Sequence, residues 1–113
     1  DLREYQNAKI EQYNNELRLK DMEISLESYL IKLYNEYRLL EQTSEIEEIN
    51  YKTSQNNMAI AKESYSAGSI SSLELREVQN DLLKAGLRIM DTKFKLKTKQ
   101  TEILLLCGRI IEN

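Results

Sequence analysis

The chain has 113 residues, 41% of them hydrophobic and 31% charged, with a formal net charge of −3, three glycines, one cysteine and no histidine, tryptophan or proline. That length supports one domain at most. The near-neutral balance argues against a nucleic-acid binder, which is normally basic, and the apolar content against a disordered acidic tail.

From Leu2 to Ser66 the chain holds no glycine and no proline, and helix formers dominate. Met22, Leu26, Tyr29, Leu33, Tyr37 and Leu40 recur in steps of three and four, the period of a coiled-coil seam. A row spaced by seven follows: Leu30, Tyr37, Ser44, Tyr51, Met58 and Tyr65. A second such row is Leu39, Ile46, Thr53, Ile60 and Ala67. Between Glu41 and Asn57 the apolar filling is thin, and a loop there is the alternative to one unbroken helix. A continuous helix over 2–66 would be about 96 Å long. All seven tyrosines fall in this arm, where heptad spacing favours packing over a ligand box.

Helical patterning stops at Ala67-Gly68-Ser69-Ile70. Gly68 can take the left-handed conformation that ends a helix. Ser71 or Ser72 can cap the next helix, and Ser71 is preferred because Glu74 three residues on completes a capping box. The second arm then runs over 71–111. Leu75, Leu82, Ile89, Leu96, Ile103 and Ile110 are spaced by seven, and Val78, Ala85, Thr92 and Leu106 sit three residues after members of that row, with Lys99 breaking the pattern. Leu83, Leu87, Met90 and Phe94 form a second strip, read as lying beside the first and implying neighbours on more than one side.

The arms differ in charge. Residues 1–66 carry 13 acidic and 8 basic side chains, whereas residues 67–113 carry 6 acidic and 8 basic. Opposite signs suit two rods side by side. Lys93, Lys95, Lys97 and Lys99 spread around a helix, which fits a solvated surface better than a phosphate site. Cys107 reads as a small apolar packing residue. The longest apolar run, Ile103 to Cys107, is far short of the ~20 residues a membrane span needs. Histidine, the usual acid–base and metal group, is absent, and no phosphate-cradling glycine loop occurs, so neither an enzyme nor a cofactor is expected. The opening at Asp1 reads as a mature or excised segment.

These patterns predict an all-α fold, a long antiparallel coiled-coil-like hairpin comprising helix 2–66, turn 67–70 and helix 71–111. About 24 residues of the first arm would project beyond the second. Self-association into a closed symmetric dimer is expected for the isolated chain.

Around the turn, Ala61, Tyr65, Gly68, Ser71, Leu75, Gln79, Leu82 and Ala85, with Leu104 and Gly108 near the end, resemble the repeat of the outer membrane efflux protein family, the TolC-like proteins. The upstream Tyr29-Leu30-Ile31-Lys32-Leu33-Tyr34 is similar to the segment preceding that helix in the family. The resemblance implies a fragment of an α-helical barrel, the periplasmic tunnel of a trimeric channel in a Gram-negative outer membrane. It implies a periplasmic adaptor and an inner-membrane pump as partners. Ala67, Gly68, Ser69 and Ile70 would form the adaptor-contact tip, with Ser69 where the family has leucine and Ile70 as its apolar substitute. Glu74 falls where the family places an acidic residue at the entrance constriction, although its capping role is the preferred explanation and the two are compatible. The alternatives are the coiled-coil hairpin of the adaptor itself and a purely structural coiled coil.

Overall fold

A computed structural model describes residues 1–112, apart from the side chains of Ile110 and Glu112. The sixth member of the second-arm row, Ile110, therefore lies outside the described side chains. Two helices account for nearly all of it, α1 over Leu2–Ser66 and α2 over Ser72–Glu112. No strand occurs among the described residues. The molecule is a long antiparallel helical hairpin, 98 × 21 × 15 Å.

No break occurs between Glu41 and Asn57. Nothing there forbids a helix, because no glycine or proline intervenes. Thr43 donates its hydroxyl to the carbonyl of Leu39 in the preceding turn at 2.9 Å. Helix propensity and the α2 packing then carry the segment through.

The two helices meet along one heptad seam. On α1 the covered positions are Leu30, Tyr37, Ser44, Tyr51 and Met58 in one row and Leu26, Leu33, Leu40, Glu47, Ser54 and Ala61 in the other. On α2 they are Leu75, Leu82, Ile89, Leu96 and Ile103, with Val78, Ala85, Thr92, Lys99 and Leu106. The α2 seam follows its predicted rows. The α1 seam takes one predicted row and not the other: Leu39, Ile46 and Ile60 are at least 60% exposed. They sit on the outward side, about 130° around the helix from the seam.

A second correction concerns Leu83, Leu87, Met90 and Phe94. They do not adjoin the seam but lie about 150° from it, and all are exposed. Both helices thus turn an apolar strip outward, away from each other. Among the described residues the buried hydrophobic side chains are few: Leu33, Met58, Ala61, Ala85, Ile89 and Leu106. An isolated two-helix hairpin has one contact surface per helix, and that surface is a stripe.

The charge difference between the arms has a structural counterpart. Among the described residues three ion pairs bridge the helices, and in each the acid is on α1 and the base on α2: Glu36–Lys99 at 2.7 Å, Glu48–Lys93 at 3.1 Å and Glu47–Arg88 at 3.4 Å. Lys99 departs from the solvated-surface reading. It occupies a seam position, is half-buried, and also reaches Glu102 at 3.7 Å. Its aliphatic stem fills the seam while the ammonium reaches the edge. The Glu36 hydrogen bond holds the Lys99 amine above its ordinary range and the Glu36 carboxyl below its own.

Candidate functional site: the interhelical tip

The tip is a helix end, a glycine and a cap. Ala67 ends α1 with ordinary right-handed angles, φ −81° and ψ −5°. Gly68 then takes φ +78°, the only positive φ among the described residues. That reversal lets the Ser69 amide donate to the Ser64 carbonyl at 2.8 Å and the Gly68 amide to the Tyr65 carbonyl at 3.0 Å. The pair of bonds is a Schellman motif, which satisfies carbonyls that a helix end otherwise leaves open. No heavy atom lies within 4 Å of where a Gly68 Cβ would stand. The requirement for glycine is therefore conformational and not one of space.

Ser71 caps α2. Its Oγ accepts from the Glu74 amide at 3.1 Å, and its carbonyl accepts from the Leu75 amide at 3.1 Å. This is the first half of the predicted capping box. The reciprocal bond, from the Ser71 amide to the Glu74 carboxylate, does not form among the described residues. Glu74 is exposed at the first turn of α2. A carboxylate there interacts favourably with the positive end of the helix dipole.

The predicted tip residues therefore occupy one compact turn with unequal exposure. Ala67, Gly68 and Ser69 are exposed. Ile70 is half-buried, folding back over a shallow groove with Asn57, Ile60, Ala61 and Val78. Its side chain thus contributes to the hairpin end as well as to the surface. Tyr65, in the last turn of α1, is 46% exposed.

One feature escaped the sequence reading. Gly86 lies in the middle of α2 and opens a groove of about 780 Å³ on one side of the hairpin. Ile49, Tyr51, Ile89 and Met90 line it, with Lys52 and Lys93 among the charged residues at its margin. A methyl group at Gly86 would stand 3.4 Å from Cε2 of Tyr51, an ordinary contact. A lone glycine inside otherwise unbroken helical patterning was the available signal. No helix of the described residues is long and apolar enough to cross a membrane. Cys107 is a half-buried free thiol beside the seam.

Compared with known proteins, the chain matches no family model, no curated protein and no solved structure.

Proposed function

We propose that this hairpin is a periplasmic tunnel segment of a trimeric outer-membrane efflux channel, acting with a periplasmic adaptor and an inner-membrane pump. The observation that carries the reading is the combination of a glycine-dependent tip with helices that each turn an apolar strip outward. A tunnel wall needs helices with neighbours on both sides, and such strips supply the second contact surface. The tip sequence supports the same reading, because Ala67, Gly68 and Ser69 are exposed where an adaptor would dock. Ile70 offers only part of its side chain for such a contact. In this scheme Glu74 is an exposed carboxylate near the tunnel entrance, with its backbone amide already used by the Ser71 cap.

The test is Gly68→Val in the intact channel that contains this segment. Valine at positive φ is strained by about 1–3 kcal/mol, so the turn must rearrange. Export is expected to fall at equal expression and equal membrane insertion. Unchanged sensitivity to exported compounds would remove the tip from any docking role.

A further inference from the structure

Beyond the seam and the two outward strips, α1 carries a third apolar line. Ile10, Leu17, Ile24 and Ile31 are spaced by seven, and Tyr13 and Tyr34 stand three residues after the first and last of them. The intervening places in the tyrosine row are held by Lys20 and Glu27. The six apolar members are between 44% and 62% exposed. At the helical repeat this line lies about 100° around α1 from the α2 seam.

That rotation decides what can cover it. Ile31 and Tyr34 lie at the level where α2 is present, beside Leu33 and Glu36, and they remain exposed. More helix added along the line of α2 would run over the Leu26 row and Leu19, not over Leu17 and Ile24. A helix other than α2 is required.

We infer that the occupant is the same line on a second copy of this chain, packed antiparallel about a two-fold axis near residue 22. Aligning the interlocking rows in that sense sets Ile10 against Tyr34 of the second copy and Ile31 against its Tyr13. It also brings Lys20 of each copy within one helical turn of Glu27 of the other. Parallel pairing would instead oppose Lys20 to Lys20 and Glu27 to Glu27. Charge complementarity therefore selects the antiparallel, self-complementary arrangement. The lysine and glutamate stems cover apolar neighbours while their charged ends meet at the margin.

Surface area points the same way. The chain exposes 9422 Å², against about 6,500 Å² for a compact monomer of its mass. The excess far exceeds the roughly 800 Å² that each partner of a stable complex buries. This inference is independent of the tunnel reading, because it concerns the 113-residue chain alone.

Sedimentation equilibrium at roughly 100 μM, where a micromolar complex is saturated, tests it. The expected mass is twice the 13.3 kDa of one chain. Leu17→Glu should weaken association roughly 100-fold or more, since each interface would set two introduced carboxylates against Glu27 of the opposite copy. Helicity by circular dichroism should be unchanged, because Leu17 does not touch α2. Phe94→Lys, on the outward strip of α2, should leave the dimer intact. Lys20→Glu should weaken it about 3- to 10-fold, and adding Glu27→Lys should restore it. A single-chain mass for the wild type, a trimer, or a dimer that survives Leu17→Glu but not Phe94→Lys would overturn the proposal. Failure of the double charge exchange to restore affinity would overturn the antiparallel pairing. If Leu17→Glu lost helicity, the charge exchange would decide alone.

Discussion

The seam has a rich end and a thin middle. Away from the tip, Leu26, Leu30, Leu33, Tyr37 and Leu40 pack against Leu96, Ile103 and Leu106, and Leu33 is only 2% exposed. In the middle, Ser44, Glu47 and Ser54 occupy positions where a coiled coil favours leucine, and they face Ala85, Ile89 and Thr92. The backbone is equally regular in both. What differs is the means of holding the helices together. At the rich end apolar burial dominates, and Glu36–Lys99 is its one interhelical ion pair among the described residues. In the middle small residues allow close approach, Tyr51 spans the gap to Gly86, and Glu47–Arg88 and Glu48–Lys93 bridge the margins. A hairpin this long does not need every heptad layer filled, because helix propensity carries it across weak layers once strong ones flank them.

That contrast orders the expected effects of mutation. Leu33→Ala should be the most damaging single truncation, about 2–4 kcal/mol by urea unfolding, because it opens a cavity in the densest layer. Ser54→Ala in the thin middle should change stability by less than about 0.5 kcal/mol. Equal losses at the two sites would erase the distinction between the regions.

At the tip, Gly68→Val should cost about 1–3 kcal/mol, through conformation alone. A substitution of smaller and opposite effect is available in the middle. Gly86→Ala should stabilise the hairpin by about 0.5–1 kcal/mol, since the position is helical and the added methyl meets Tyr51 at contact distance. A thermal midpoint that falls for Gly86→Ala would show that the middle tolerates no added volume.

The smallest effect belongs to Glu36 and Lys99. The Glu36 carboxyl titrates below its ordinary value in the folded chain, so its contribution is complete above the unfolded value and is lost as pH falls through the folded one. The Lys99 amine titrates above its ordinary value, so its contribution persists below that value and is lost at strongly alkaline pH. Glu36→Gln should therefore flatten part of the acid limb of the stability curve and leave the neutral plateau nearly unchanged. An unchanged acid limb would show the pair to be energetically silent.

Much of the tip was legible in the residues themselves. Gly68 is the first glycine in the chain, and a left-handed helix end is where glycine is favoured. Ser71 was identified as the cap from its distance to Glu74, and the Ser71 Oγ does receive the Glu74 amide. The closure of the box by the Glu74 carboxylate was not determined by spacing, because solvent competes for an exposed carboxylate as well as a backbone amide does. The partial burial of Ile70 was equally hidden, since it depends on where Val78 and Ala61 stand across the turn.

The amino-acid sequence by itself determined two helices, their junction at Gly68 and the α2 face of the seam. Absent breakers, one glycine at the turn and an isoleucine–leucine row of strict period suffice for that. Only the tertiary structure decided which face of α1 meets α2. Apolar residues lie on every side of α1, and the row Leu39, Ile46 and Ile60 is more apolar than the row through Leu40, Glu47 and Ser54 that packs. Periodicity reveals that a helix has an apolar row, but the partner's line of approach selects among rows. Here the turn geometry and the three acid-to-base bridges set that line. They turn Glu47 toward Arg88, leave Leu39 outside, and keep Ile10, Leu17 and Ile24 for another helix.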